Sequence, residues 1–569
     1  MRIAITGIGA VSAIGLNCPQ MLQSLLDERS GIGTMRILGS VHSNLPVGEV
    51  PLSDAELKAL CGIAIEEPMP RTSLLGLLAA REALQMADRT CDAFISGTTV
   101  GGMDLTEQHW ADYKEGKATE NIRLHEAGES TNAIARHLSP FAFIATPSTA
   151  CSSALNAIML GADLLRTRQA KAVLAGGAES LSKFHFNGFR TLMILDDQPC
   201  RPFDANRNGL NLGEGAGYLV LEREEDAIAR GATILGYVGG YANTCDAYHQ
   251  TASSENGNGA YLAMRDALEM AGLQPSDIDY INAHGTATPN NDLSESAALI
   301  RLFGDSMPAV SSTKAFTGHT TSASGGIETA ICVLAMQHGL IPANLRWSQT
   351  ADGLVRPITK TLRKPIHHVV CNAFGFGGNE SSLVLSDHAI ELREAEMNEP
   401  TLVQMIDEQM ADSQMVNASE ARRMTPQMRQ IVAVARQALY ATNIPQPDVI
   451  VCATQWGCML QSMRFLQDMI DTHEQELKPT PFIQSTHNTI ASLIAILTGN
   501  HGYNATYSQG TKSLECALAD VRCQMALGRI QSALVLEFDE QVDAWDGVLS
   551  LIGDKTHNIA KAYVYVNNK

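Results

Sequence analysis

The stretch Thr149-Ala150-Cys151-Ser152-Ser153-Ala154 places a cysteine between a short apolar run and a segment that forms helix readily. At a helix N-terminus the unpaired backbone N–H groups and the helix dipole stabilise an anion, so a thiol there is expected to ionise below the ~8.5 of a free cysteine and to act as a nucleophile. A lone cysteine at a helix start more often serves as small apolar packing, and its partners decide between the two. Three downstream segments supply partners: Asn282-Ala283-His284-Gly285-Thr286-Ala287-Thr288, then Ser311-Ser312-Thr313-Lys314-Ala315-Phe316-Thr317-Gly318-His319, then Asn372-Ala373-Phe374-Gly375-Phe376-Gly377-Gly378.

The elements that must hold these groups alternate between strand and helix patterns. Short β-rich runs at Ala93-Phe94-Ile95, Ala172-Val173-Leu174-Ala175, Gly217-Tyr218-Leu219-Val220-Leu221 and Val369-Val370-Cys371 are separated by helical stretches, which predicts an α/β protein. After Cys151, the residues Ala154, Leu155, Ile158, Met159, Ala162 and Leu165 recur at helical spacing and give one apolar face, so the cysteine is expected to begin a buried helix. A second helix is predicted over Tyr261 to Met270, with Ala271-Gly272 as its C-cap.

In order and spacing the four segments closely resemble the β-ketoacyl synthases, the elongating condensing enzymes of fatty-acid and polyketide synthesis. The likeness runs from residue 1 to about residue 388 and includes Arg2-Ile3-Ala4-Ile5-Thr6-Gly7-Ile8-Gly9, Arg201-Pro202-Phe203-Asp204 and Gly325-Gly326-Ile327-Glu328. It implies a thiolase-like five-layer α/β/α/β/α sandwich of two similar halves. Here these would be residues 1–225, with the nucleophile, and 226–388, with both histidines and Lys314.

The resemblance also implies roles. Cys151 would accept the acyl group, and the N–H groups of Cys151 and Phe374 would form the oxyanion hole. His284 and His319 would hydrogen-bond the malonyl thioester carbonyl and stabilise the enolate formed on decarboxylation, with Lys314 and Glu328 as a supporting charged pair. Thr286 and Thr288 would bind the phosphopantetheine arm and Val100 would line the tunnel floor; Phe374 and Phe376, with three glycines around them, read as a mobile gate over the acyl tunnel rather than plain core. Asn290, Asn291 and Asp292 read as structural. Thiolases carry a second cysteine near the loop that here reads Gly375-Phe376-Gly377-Gly378-Asn379-Glu380, and priming synthases carry asparagine in place of His319, so the set indicates an elongating synthase. No metal and no cofactor of the chain's own is implied. The phosphopantetheine arm arrives on the expected partner, an acyl carrier protein in its acyl- and malonyl-loaded forms.

A length of 569 residues predicts three or four domain-sized units. With 45% hydrophobic and 18% charged residues, extended disorder is excluded. The net charge of −20 argues against a nucleic-acid partner, so an acidic carrier protein would need a local basic patch, for which Arg201 and Arg207 are candidates. The twelve cysteines form no C-x2-C pair, which speaks for reduced thiols rather than zinc. Neither a signal-peptide pattern nor an uncharged apolar run of the ~18–20 residues needed for a membrane span is present, and a soluble, cytoplasmic protein is expected.

Residues 389–427 are rich in Glu, Asp and Gln and carry Met397, Met405, Met410, Met415 and Met424, which reads as a linker with helical turns. From 428 to 569 the chain then repeats itself. Asp448 to Met459 align without gaps on Asp92 to Met103 at an offset of 356, and Thr506 to Leu514 on Thr146 to Ala154 at an offset of 360. Ala562-Tyr563-Val564-Tyr565-Val566 fits Gly217 to Leu221. At the nucleophile position stands Thr511, with no adjacent general base, and no second histidine segment follows. The repeat resembles an inactive first half of a synthase, as in the chain-length-factor-like proteins that pair with active synthases in aryl polyene and aromatic polyketide systems.

An additional incomplete thiolase-like half domain is therefore expected, forming an intramolecular pseudo-dimer with the synthase; whether two chains associate further stays open. The half domain would either close the acyl tunnel, with Trp456 opposite Val100 and Met459 and Phe465 shaping chain length, or only cover a hydrophobic face. The expected reaction is decarboxylative condensation of malonyl-carrier protein with a Cys151-bound acyl group to give a 3-oxoacyl product, in aryl-polyene-type synthesis. The alternatives are ordinary fatty-acid elongation and a non-catalytic carrier-protein-binding scaffold.

Overall fold

One arrangement of five strands occurs three times in the computed structural model, which describes residues 1–117, 120–397 and 399–567. In the first set, Phe143–Ala145, Ala93–Gly97 and Ala172–Glu179 lie parallel, and Gly215–Arg223 and Ile3–Ser12 follow antiparallel. The same order and directions return in Ala309–Ser311, Tyr280–Asn282, His368–Gly375, Asn379–Ser386 and Gly236–Cys245. They return again in Tyr503–Tyr507, Val449–Ala453, Ser532–Asp539, Ile559–Val566 and Thr401–Asp407. The first two sets form one ten-stranded sheet because Ile3–Ile5 also pairs with Gly236–Val238. Central strands such as Val449–Ala453 are buried at every residue, which is why they read as unbroken apolar runs rather than alternating ones.

Two helices make the middle layer of the sandwich. Ser153–Arg166 follows Cys151 and Ser324–His338 follows His319, and each packs on the other and on strands of both halves. The expected single apolar face on the first of them is replaced by burial on every side, including Asn156, Asp163 and Arg166. Sheets lie on both sides of it, so its polar residues are tolerated only because they are paired. Asn156 Nδ2 donates to Thr149 Oγ1 at 2.8 Å, and Arg166 Nη1 donates to Tyr241 Oη at 2.8 Å. The predicted second helix spans Asn258–Ala271 and ends on Gly272 at φ 68°, where a left-handed cap favours glycine.

Two expectations for the C-terminal part need correction. The segment 389–427 is not only a linker: Thr401–Asp407 pairs with Ile559–Val566 and takes the place that Ile3–Ser12 holds in the first half, so the half domain begins before residue 428. This strand is largely exposed, and an edge with little to bury shows no clean apolar alternation. The last strand also lies one residue out of step with the expected pairing of Ala562–Val566 on Gly217–Leu221. Leu221 lies opposite Val173 and Tyr565 opposite Ala533, so Tyr565, not Val566, is the counterpart of Leu221. A slip of one residue exchanges the two faces of a strand.

The half domain is joined to the synthase by main-chain pairing between equivalent segments. Ser148 N donates to Thr506 O at 2.8 Å and Ser508 N to Thr146 O at 2.9 Å, which relates the two by a local two-fold. Behind this contact, Asp163 accepts from both Arg166 and Arg529 and from Tyr241 Oη. Removing one member of a buried ion pair strands the other, at a cost of ~3–5 kcal/mol. Asp163→Ala is therefore expected to lower the thermal unfolding midpoint and to speed proteolytic release of the half domain, measured by calorimetry and limited digestion.

Candidate active site

Cys151 sits in a short turn, Ala150–Ser152, that leads into the central helix. Ala150 has φ 55°, a left-handed conformation that an L-residue adopts only when its surroundings hold it there. They do so here: Ser153 Oγ accepts from Thr149 N at 2.9 Å and donates to Ala150 O at 2.7 Å. The turn thereby lifts the sulfur away from the strand before it and into the site.

His319 reaches the same point from the other half. Its Nε2 is 3.1 Å from Cys151 Sγ, its Nδ1 is 3.2 Å from Ser324 Oγ, and its backbone N–H donates to Asn211 O at 2.7 Å. His284 follows the strand Tyr280–Asn282, where Glu295 accepts from the N–H groups of His284 and Gly285, each at 2.8 Å. The two imidazole rings lie 5.3 Å apart and nearly perpendicular, and His284 Nδ1 is buried without a hydrogen-bond partner among the described residues. Lys314 Nζ donates to Glu328 Oε1 at 2.6 Å, with both side chains buried.

Burial dominates the electrostatics of this group. It pushes the Cys151 thiol up to about 12, against the pull of Lys314 and of the Phe376 and Cys151 backbone N–H groups. The expected low-lying thiolate is thus corrected: in the closed site, loss of water costs the anion more than the helix start returns. Burial and the nearby Lys314 charge also hold His284 and His319 well below the usual imidazole range, so both are neutral. Glu328 is raised to about 7 by burial, with Lys314 opposing.

The oxyanion-hole expectation shifts by two residues. Phe374 lies within a strand opposite Glu380, with its ring 5.6 Å from that of His284. The backbone N–H that bears on Cys151 Sγ belongs to Phe376, in the turn after that strand. Gly375 lets this turn approach: a Cβ there would lie 2.8 Å from Thr149 O and 3.2 Å from Cys151 N.

Cys151 opens onto two cavities. The outer one, about 440 Å³, is lined by His284, His319, Thr286, Thr288 and Asn290, with Thr286 and Thr288 hydroxyls 3.0 Å apart. The inner one is tight, about 50 Å³, and brings Val100, Phe376 and Trp456 together. Phe189 and Phe376 line both, with rings stacked at 5.4 Å, so they stand between the two. Met459 and Phe465 pack in the adjacent apolar cluster without reaching the lining. Asp292 accepts from Phe203 N and Ala287 N, a structural use. Arg207 is largely engaged within the synthase: its side chain is mostly buried, and it donates to the Asp204 and Pro289 carbonyls.

Several residues of the site carry no sequence motif. Glu179 accepts from Thr98, Thr99 and Ser322, tying the loop that holds Val100 to the loop that follows His319. Asn379 Oδ1 accepts from Ser152 Oγ at 2.6 Å, while its Nδ2 donates to Asn504 O at 2.5 Å in the half domain. His185, His125 and His487 line the inner cavity. Only Asn379 was within reach of sequence reading, as the residue that ends a glycine-rich segment.

A thiol held against a neutral histidine on a thiolase-like sandwich defines an acyltransferase of the condensing type. Known proteins agree with this class. The model of the β-ketoacyl synthase N-terminal domain matches residues 1–227, that of the C-terminal domain residues 235–348, and a second N-terminal-domain model residues 394–547. The 3-oxoacyl-[acyl-carrier-protein] synthase 2 of Synechocystis sp. is 33% identical over 410 residues, covering 68% of this chain and 98% of that protein. The ishigamide ketosynthase/chain length factor is 32% identical, with a TM-score of 0.64 over 68% of this chain and 99% of its own. The PfaC keto synthase-chain length factor shares the fold over 100% of this chain and 78% of its own, with a TM-score of 0.80 at 18% identity. The chain belongs to the β-ketoacyl synthase family, as a 3-oxoacyl-[acyl-carrier-protein] synthase fused to a chain-length-factor-like half. No helix among the described residues is long and apolar enough to cross a membrane.

The Lys314 charge depresses both histidines, so its removal must raise them. Burial is the larger cause and stays, so Lys314→Met is expected to move the acidic limb of the kcat/KM profile toward higher pH without restoring an ordinary imidazole, measured across the acidic range to neutrality. An unmoved limb contradicts the assignment of that charge.

Proposed function

We propose that the chain catalyses decarboxylative condensation between an acyl group held on Cys151 and a malonyl group delivered on an acyl carrier protein, in polyene-type synthesis. The observation that carries this reading is the 3.1 Å contact between Cys151 Sγ and His319 Nε2, beside a second neutral imidazole and a buried Lys314–Glu328 pair.

In the first half-reaction Cys151 Sγ attacks the acyl thioester. A carbon–sulfur bond forms to Cys151, the bond to the carrier's phosphopantetheine sulfur breaks, and the thiol proton passes to that leaving sulfur. His319 Nε2 stands at the attacking sulfur, and the N–H groups of Cys151 and Phe376 hold the oxyanion. In the second, the malonyl thioester carbonyl accepts hydrogen bonds from His284 and His319. Carbon dioxide leaves, and the enolate carbon attacks the acyl-Cys151 carbonyl. The tetrahedral intermediate collapses with Cys151 Sγ as leaving group, giving the 3-oxoacyl thioester, and the departing thiolate takes a proton from solvent to restore the thiol. Neutral imidazoles suit this step, because they donate a hydrogen bond without protonating the enolate.

Thr286 and Thr288, in the wide outer cavity, are assigned to the phosphopantetheine arm. The half domain is assigned to the tunnel wall, since Trp456 occupies the place of Val100: Trp456 N donates to Asp539 as Val100 N does to Glu179. A cavity of about 50 Å³ holds only a few waters, so Phe376 must swing off Phe189 before a long chain enters.

Cys151→Ala is expected to abolish acyl-enzyme formation, read by intact-protein mass after incubation with acyl-loaded carrier protein. His284→Ala is expected to leave acylation intact and to reduce condensation ~10²–10³-fold. Trp456→Ala is expected to shift products toward longer chains; an unchanged distribution at normal turnover rejects the wall assignment. Preference for conjugated polyenoyl over saturated primers separates polyene synthesis from fatty-acid elongation.

A further inference from the structure

Plain acyl chains need no imidazoles, yet His125 and His487 both line the inner cavity, on its half-domain side. The His125 ring lies 6.3 Å from that of Trp456 and 4.9 Å from that of Trp545, and a Cβ on Gly457 would be 2.8 Å from the His487 ring. Each histidine has one nitrogen engaged: His125 Nδ1 with Thr106 Oγ1 at 2.9 Å, and His487 Nδ1 with Ser148 Oγ at 3.1 Å. With Nδ1 engaged by Thr106, Nε2 is the ring nitrogen that His125 has left for a ligand, as acceptor or donor according to its tautomer. Beside them Thr99 Oγ1 is buried and has no partner among the described residues.

The charge of the site narrows what fits. Burial pushes His125 down to about 3 and His487 to about 4, so both rings are neutral. No Lys, Arg, Asp or Glu lines the cavity, and an ionised chain end would be left unpaired there. A methyl end would in turn leave the buried Thr99 hydroxyl without a partner, the situation in which sites built for a hydroxyl reject analogues that lack it.

We propose that this side of the cavity is a hydrogen-bonding subsite for a hydroxyl at the far end of the acyl chain, with His125 Nε2, His487 and Thr99 as its partners. The inference rests on Cys151 as the acyl acceptor and adds the class of chain that the tunnel selects. The test loads an acyl carrier protein with two chains of equal length, one ending in a hydroxyl and one in a methyl group, and measures kcat/KM for acylation of the full-length chain by mass. The hydroxyl-ended chain is expected to be favoured at least ~10-fold. His125→Leu is expected to erase the preference. Thr99→Val, which removes one hydroxyl at nearly constant shape, is expected to reduce it ~3–10-fold even where the histidine variant does not fold. Equal rates for the two chains, or a ratio unchanged in Thr99→Val, overturn the subsite and leave the acyl-acceptor reading standing. Acylation by neither chain overturns both.

Discussion

The pairing of Thr146-Pro147-Ser148 with Thr506-Tyr507-Ser508 ends three residues before Cys151, and the geometry of the site depends on it. Because the paired segments are equivalent, the turns after them are built alike. Gly510 takes φ 59° where Ala150 takes 55°, and Ser513 Oγ accepts from Gln509 N and donates to Gly510 O as Ser153 does for Thr149 and Ala150. One turn faces two histidines. The other carries Thr511, exposed to solvent. The half domain thus keeps the shape of a nucleophile turn and uses it as an abutment, and Asn379 links the two parts through Ser152 on one side and Asn504 on the other.

Burial sets the second constraint. A dry pocket favours neutral forms of the thiol and of both imidazoles, and the one strong charge left inside, on Lys314, is met by Glu328 at 2.6 Å. In that setting the resting nucleophile is a hydrogen-bonded thiol rather than a free anion. In the proposed reaction its activation comes when a thioester occupies the site and the backbone N–H groups gain an oxyanion to bind.

Local signals in the sequence carried most of this. The nucleophile, the two histidines, the lysine and the gapless repeat are short segments of fixed spacing, and the structure brings them to one point. The misjudged features depend on distant contacts. Whether Phe374 or Phe376 offers its N–H turns on where a strand ends. The strand Thr401–Asp407 is an edge whose partner lies far along the chain, and the apparent face of the helix after Cys151 vanishes because two sheets enclose it. The direction of the thiol's ionisation followed from helix placement only while its burial was unknown. His125, His185 and His487 sit in no motif, and only a cavity shared by two parts of the chain makes them neighbours.

The covalent continuity between the synthase and its half domain has a consequence of mass action. A wall borrowed from a separate chain is present at each site only in the fraction that its concentration and dissociation constant allow. Carried on the same polypeptide, Trp456 and His487 stand at one copy per Cys151 at any dilution, and an exchange of partners cannot replace them. A single molecule therefore carries the synthase lining and the half-domain lining of this cavity together.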